Sequence, residues 1–134
     1  MDAAELSYVL ARAAYARQIK DGAGVLIGYA HDADYPDHWN MNWLRARLEN
    51  FFYIDRIIID DEAQGQGLGQ QLYRDIERFA AARGYKWLAC EVNISPNNPR
   101  SHRFHKGAGF EAIGEQVFSD VKSVRYYAKA LNSS

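Results

Sequence analysis

The chain has 134 residues, of which 48% are hydrophobic and 25% are charged, so it fits one globular domain, residues 1–134, with a single core. Its formal charge of −1 gives no general attraction to nucleic acid or anionic membranes, and neither is expected as a partner. The apolar stretches are shorter than a membrane span and the N-terminus does not resemble a secretory signal, so we expect a cytoplasmic protein. Cys90 is the single cysteine and stands among apolar residues, so we expect a buried thiol, no disulfide and no metal site.

The first third of the chain predicts a short helix, a β-hairpin and a second helix. Residues 5–14 have helical periodicity, and two apolar segments separated by turn residues predict the hairpin. An irregular stretch of aspartates and aromatic residues then leads into the second helix. The predicted strands are Tyr15–Ile19 and Val25–Ala30, and the second helix runs from Trp39 to Glu49.

The rest of the chain predicts a strand, a glycine-rich loop, a helix and a strand, followed by a helix and a final hairpin. The strand–helix–strand unit places the glycines at the carboxyl end of its first strand, where open α/β sheets bind ligands. The predicted strands are Phe51–Ile59, Tyr85–Val92, Phe110–Phe118 and Ser123–Leu131, and the predicted helices are Gly67–Arg83, with Gly84 ending it, and Ser101–Ala108.

The loop Gln64-Gly65-Gln66-Gly67-Leu68-Gly69 predicts a phosphate site, because residues without Cβ let an anion approach the amides of a helix start. A Walker loop would need lysine and a hydroxyl residue after the last glycine, but Gln70 and Gln71 follow it. A dinucleotide fingerprint would need glycine at the position of Gln70, although Glu91 imitates the acid that binds ribose in such proteins. The spacing therefore disfavours both of these nucleotide-binding classes.

The spacing Gln64-x-x-Gly67-x-Gly69, with Ile57-x-Ile59 upstream, resembles the acetyl-CoA loop of the GNAT family of N-acetyltransferases. The segment Asn98–Phe110 is similar to a later motif of the same family, and the predicted element order also matches over Tyr15–Leu131. The resemblance implies an α/β (α+β) fold. In it, a central mixed, mostly antiparallel twisted sheet is flanked by helices and contains a β-α-β acetyl-CoA-binding core.

The resemblance also implies acetyl-CoA as cosubstrate and an amine as acceptor, with direct acetyl transfer through a tetrahedral intermediate. The loop amides would hold the pyrophosphate, and the edge of the preceding strand would pair with the pantetheine arm. In the family a bulge splays this strand from its neighbour, which would place the thioester between Ile57 and Glu91. Asn98 also has the chemistry of a helix N-cap, and the two roles can coexist. The residues implied in acetyl-CoA binding are Ile57, Ile58, Ile59, Gln64, Gly65, Gln66, Gly67, Leu68, Gly69, Gln70, Asn98 and Ser101.

Acyl transfer to an amine needs a general base, and two carboxylates interrupt apolar strands. Asp55 is the first candidate, because on a regular strand it would share one face with Ile57 and Ile59. Its alternative is an ion pair, with Arg56 or elsewhere. Glu91 is the second candidate and should face the same cleft, and its alternative is a buried carboxylate satisfied by main-chain amides.

The reaction also needs an acid for the departing thiolate, and His105 occupies the position where the family often has tyrosine. An imidazole can donate a proton near neutral pH, although a histidine on a helix surface is the alternative. Tyr126 and Tyr127 on the last strand are alternative donors.

The resemblance implies that the acceptor meets Tyr35–Trp43 and the first and last hairpins, which flank the acyl opening in the family. Three aspartates and three aromatic residues could hold an ammonium ion there; a solvated acidic loop with aromatic residues anchored in the core is the alternative. These residues are Asp32, Asp34, Tyr35, Asp37, Trp39 and Trp43. Few residues precede the hairpin compared with the family pattern, so we expect one of three situations: a natural truncation, a shortened version of a longer protein, or a homodimer that completes its sheet edge by exchange. A non-catalytic CoA-binding or interaction module is the alternative function, and a nucleotide-binding α/β domain is a third.

Overall fold

A computed structural model of the chain describes residue 4, residues 15–19 and residues 23–131. The helix predicted over residues 5–14 lies outside the described residues. Six strands and three α-helices are described, besides a 3-10 turn at Asp61–Ala63. They are β1 (Tyr15–Ile19), β2 (Gly24–Ala30), α1 (Trp39–Arg45), β3 (Phe51–Ile59), α2 (Leu68–Ala82), β4 (Trp87–Ser95), α3 (Pro99–Gly107), β5 (Glu111–Ser119) and β6 (Lys122–Ala130).

The six strands form one sheet in the order β1-β2-β3-β4-β6-β5. Only β3 and β4 pair in parallel, and they are the two strands joined through helix α2. Every other neighbouring pair is antiparallel. The mixed, mostly antiparallel α+β fold expected from the sequence is therefore confirmed.

Side chains from the two faces of the sheet form two hydrophobic clusters, because successive residues of a strand point to opposite faces. The first cluster lies under α2 and α3 and includes Phe52, Leu72 and Ile76. The second lies under α1 and includes Tyr53 and Leu44. Helices therefore cover the sheet on both faces, and α1 is alone on its face among the described helices.

Helix α1 ends at Arg45, four residues before the predicted end at Glu49. The chain has to reverse here to enter β3, and Asn50 makes this turn with φ of +53°. Asparagine tolerates this left-handed conformation better than most residues. The helical pattern of the sequence continues to Glu49, but the path of the chain into β3 ends the helix at Arg45.

Strand β3 contains a bulge at Asp55. Across the β2–β3 ladder Ile27 pairs with Arg56 and Gly28 pairs with Ile54, so Asp55 is skipped. The parallel pairing of β3 with β4 covers only Phe51–Tyr53. The two strands are thus no longer paired at the carboxyl half of β3, which leaves an opening in the sheet.

The expectation that Asp55 shares one face with Ile57 and Ile59 is wrong. Both isoleucines pack against the cluster under α2, whereas Asp55 contacts His38 on the face covered by α1. The extra residue of a bulge shifts the inward–outward alternation by one position, and a regular strand was assumed.

Candidate functional site

A cavity of about 730 Å³ lies between the carboxyl half of β3, the glycine-rich loop and the start of α3. All of the residues expected to bind acetyl-CoA line this cavity, except Gln66. Ala63, Tyr73, Arg100, Phe104 and His105 complete the lining. The structure therefore brings two distant sequence motifs to one concave site.

The glycine loop is shaped by backbone conformation, and packing does not require its glycines. Gly65 and Gly67 adopt φ of +85° and +76°, which favours glycine. A Cβ on Gly65 would meet no atom within 4 Å, and one on Gly67 would meet only the Gln70 side chain, at 4.0 Å. The loop thus leaves open space above the first turn of α2, where helix amides favour an anion.

Arg100 connects the two motifs, and Asn98 caps the helix of the second motif. The Arg100 guanidinium donates to the Gln64 side-chain oxygen at 3.3 Å. The Asn98 side chain accepts from the Ser101 amide at 3.3 Å and caps α3, as one of its two predicted roles required. Sequence reasoning did not single out Arg100, although a cation beside a predicted phosphate site is a usable signal.

His105 is buried, so the alternative of a histidine on the helix surface is wrong. Its Nδ1 lies 2.8 Å from the Ser101 carbonyl oxygen and must carry the proton of that hydrogen bond. The Tyr73 hydroxyl, 2.7 Å from Nε2, therefore donates to the imidazole. Burial lowers the pKa of His105, so the ring is neutral at pH 7 and offers no cationic donor.

The two alternative donors lie on opposite faces of the sheet. Tyr127 belongs to the cluster under α2, and its hydroxyl lies 2.6 Å from Nδ1 of His102. Tyr126 belongs to the cluster under α1, and its hydroxyl donates to the Asn40 side chain at 2.7 Å. Each hydroxyl thus already has a side-chain partner.

Glu91 lies on the α1 face of β4 and accepts a hydrogen bond from the Tyr53 hydroxyl. The pKa of Glu91 is raised from 4.5 to about 7, mainly by burial; the Tyr53 hydrogen bond opposes the rise and the charge of Asp55 adds to it. A carboxylate with this pKa can both accept and release a proton near neutral pH.

Asp55 faces the same side and has two cationic or potentially cationic partners. One of its oxygens lies 3.2 Å from Nε2 of His38, and the other lies 3.5 Å from Nε of Arg56. The ion-pair alternative for Asp55 is therefore present in the structure. His38 was missed by sequence reasoning, although it stands at the N-cap position of the predicted helix, between Asp37 and Trp39.

Helix α1 and the loop before it form a wall on this face. Trp43 stacks on Tyr126 with ring centroids 4.0 Å apart. The Arg45 guanidinium donates to the carbonyls of three loop residues, which ties the loop to the helix. These carbonyls belong to His31, Ala33 and Tyr35. Asp32, Asp34 and Asp37 are all exposed on this loop.

Among residues 15–19 and 23–131, no group of histidine, cysteine or acidic side chains is arranged to hold a metal ion. None of the helices in this part of the chain is long and apolar enough to cross a membrane.

Comparison with known proteins gives a consistent family assignment. The family model described as Acetyltransferase (GNAT) family matches residues 4–110. A curated relative, the spermine/spermidine N(1)-acetyltransferase of Bacillus subtilis (strain 168), is 29% identical over 99 residues, which are 74% of this chain. The match spans 61% of that relative, so the chain covers about three fifths of its length.

Solved structures share the fold at low sequence identity. The IAA acetyltransferase from Bacillus cereus ATCC 14579 has a TM-score of 0.67 at 13% identity, over 97% of this chain and 85% of that chain. A chain of the NatC complex bound to Gag peptide and CoA has a TM-score of 0.64 at 11% identity, over 84% of this chain and 64% of that chain. At these identities the likeness shows the fold alone.

Proposed function

Because this chain belongs to the GNAT family of acetyltransferases, we propose that it transfers an acetyl group from acetyl-CoA to a primary amine of a small molecule or protein. The observation that carries the proposal is the cavity in which the glycine loop and the α3 motif meet. Polyamines are the first acceptors to test, because the curated relative is a spermine/spermidine acetyltransferase.

The residues of the cavity fit acetyl-CoA. The amides of Gly65 to Gln70 border open space that a pyrophosphate would fill, and Arg100 adds a cation beside it. Ile57, Ile58 and Ile59 line the cavity on a strand segment that no longer pairs with β4, so its main chain is available to the amides of pantetheine. Acetyl-CoA supplies the activated acyl carbon and a thiolate leaving group.

Glu91 is the proposed general base. It receives a proton from the ammonium form of the acceptor, whose nitrogen then forms a C–N bond to the acyl carbon, and the resulting tetrahedral intermediate collapses as the C–S bond breaks. The nitrogen loses a second proton after the C–N bond has formed, and the departing thiolate takes up one proton. With a pKa raised to about 7, Glu91 is deprotonated often enough at neutral pH to act in this way.

One observation favours the alternative of a CoA-binding module without catalysis. His105, at the position where the family often has tyrosine, is neutral and uses both ring nitrogens in hydrogen bonds. A module of this kind would bind CoA but would not cleave acetyl-CoA to free CoA thiol. An assay of thiol release therefore distinguishes the two functions.

The test measures release of free thiol from acetyl-CoA across a panel of spermidine, spermine, monoamines and peptides, with CoA affinity measured by calorimetry. The double variant Asp55→Ala/Glu91→Ala should bind CoA normally and release no thiol. The matched control Glu111→Ala/Asp120→Ala removes two exposed carboxylates and should keep full activity. If the protein binds CoA but releases no thiol with any amine, the function is that of a non-catalytic CoA-binding module and the proposed acetyl transfer is wrong.

A further inference from the structure

Both ring nitrogens of His38 have partners that define one tautomer. Nδ1 lies 3.2 Å from the Met41 main-chain nitrogen, whose N–H can only donate, so Nδ1 carries no proton. Nε2 then carries the proton and faces the Asp55 carboxylate at 3.2 Å. The rings of Tyr35 and Tyr53 stand edge-on to the imidazole, with centroids 4.8 and 5.0 Å away.

His38 and Asp55 belong to a larger polar cluster on the α1 face. Asp55 lies on the same face of β3 as Tyr53 and contacts His38, and the Tyr53 hydroxyl donates to Glu91. Two carboxylates are thereby brought together, one with a histidine partner and one with a tyrosine partner. The other charged groups that act on this cluster are Arg56 beside Asp55 and Lys122 near Glu91.

We propose that His38 is a positioning residue of the transfer reaction. Its Nε2–H holds Asp55 beside Glu91, so that Asp55 binds the ammonium of the acceptor while Glu91 takes its proton. The proposal rests on the proposed acetyl transfer. The proton moves from nitrogen to the Glu91 carboxylate, the nitrogen keeps its electron pair for attack, and Asp55 stays charged.

The contacts of His38 exclude it as the base itself. Its Nδ1 lone pair accepts the Met41 N–H that caps α1, and its Nε2 already carries a proton. Accepting a further proton would therefore break the cap. His38 acts through Asp55, whose side chain is only 12% exposed and has little freedom to be oriented by solvent.

Two substitutions separate the positioning role from the capping role. His38→Asn places a good N-cap acceptor at this position but is too short to reach Asp55. His38→Gln places an amide N–H near the position of Nε2 but is a poor N-cap. If His38 only caps α1, the asparagine variant should be active and the glutamine variant should not.

The experiment measures kcat, KM for both substrates, CoA affinity and thermal unfolding for the wild type and both variants. We expect His38→Asn to unfold near the wild-type temperature, to bind CoA normally and to lose about tenfold or more in kcat. We expect His38→Gln to unfold at a lower temperature and to keep most of its kcat. An asparagine variant with wild-type kcat, or a glutamine variant as inactive as the asparagine one, would overturn the positioning role.

A third variant, Asp55→Asn, tests the link to Glu91. Removing the charge of Asp55 should lower the pKa of Glu91, so the acidic limb of the kcat/KM profile should move to lower pH as the rate falls. An unmoved limb would overturn the proposal. If the wild type releases no thiol with any amine, the proposed acetyl transfer is wrong, and the positioning role of His38 is wrong as well. If the wild type turns over and His38→Asn matches it, only His38 is wrongly assigned.

Discussion

Gly114 of β5 lies directly against the indole of Trp43 in α1. A Cβ built on Gly114 would come 2.5 Å from two ring atoms of Trp43, closer than any packed side chain allows. The same indole stacks on Tyr126 with the ring planes 9° apart. The absence of a side chain at Gly114 thus lets α1 pack closely against the sheet on the proposed acceptor side.

Gly114→Ala should destabilise the fold by about 1–3 kcal/mol, because the added methyl forces the Trp43 ring away from Tyr126. Urea unfolding followed by tryptophan fluorescence measures the loss. Gly107→Ala is the matched control, since a Cβ there meets nothing within 4 Å, and its stability should equal or slightly exceed the wild type. Equal stabilities for the two variants would contradict the close contact.

Gly67→Asp should weaken CoA binding by about 100-fold or more, because it adds a negative charge where the pyrophosphate is proposed to lie. Gly84→Asp is the control: Gly84 has a similar φ of +81° and open space, but follows the other end of α2. It imposes the same backbone strain and should leave CoA affinity unchanged. Calorimetric titration with CoA measures both, and an unchanged affinity for Gly67→Asp would refute the loop assignment.

Glu91→Gln should lower kcat by about 100-fold or more, since the amide still accepts from Tyr53 but cannot take a proton. In the wild type, kcat/KM should rise with pH around the Glu91 pKa of about 7 as the carboxylate loses its proton. This rise should disappear in the variant. A variant that keeps the wild-type profile would remove Glu91 from the reaction.

The stability of the fold should also report the Glu91 pKa. Because that pKa is raised from 4.5 to about 7, the folded state holds a proton between these values that the unfolded state has released. The corresponding contribution is fully present below pH 4.5 and is lost as pH rises to about 7, by up to ~3 kcal/mol. The unfolding free energy of the wild type minus that of Glu91→Gln should therefore fall across this window, in urea titrations at stepped pH. A constant difference would mean that Glu91 has an ordinary pKa.

Arg45→Lys should raise KM for the amine by about tenfold without changing CoA affinity, because a single ammonium cannot replace the guanidinium fork that holds three loop carbonyls. The loop before α1 would then be less well ordered on the proposed acceptor side. Arg78→Lys is the control, since Arg78 is exposed and donates only at 3.4 Å within α2. Steady-state kinetics with saturating acetyl-CoA separate the two, and equal KM values would show that the loop does not contact the acceptor.

Much of the fold was predictable because its signals are local. Strand Phe51–Ile59 matches β3 residue for residue, and the predicted helix Gly67–Arg83 exceeds α2 by one residue at each end. Apolar periodicity and glycine placement depend on near neighbours in the chain, and these survive folding unchanged. The end of α1 was less predictable, because Asn50 and the path into β3 decide it.

The candidate site likewise contains residues that were predictable from local motifs and residues that were not. The residues proposed to bind CoA were identifiable because they lie in two motifs with defined spacing, and the structure brings all of them except Gln66 to one cavity. His38 carries no such motif, and its contact with Asp55 spans 17 residues. The burial of His105 beside Tyr73 likewise depends on how two helices pack.

The family, the strand–loop–helix unit and the glycine loop were predictable from the sequence alone, because backbone conformation and residue spacing are encoded locally. Which polar groups meet on the proposed acceptor side depends on the tertiary fold. A one-residue bulge in β3 puts Ile57 on the opposite face of the sheet from Asp55, which contacts His38, and burial raises the pKa of Glu91 on the same face as Asp55. Neither the register of a ladder nor the burial of a carboxylate can be read from neighbouring residues, because both depend on segments that are distant in the chain.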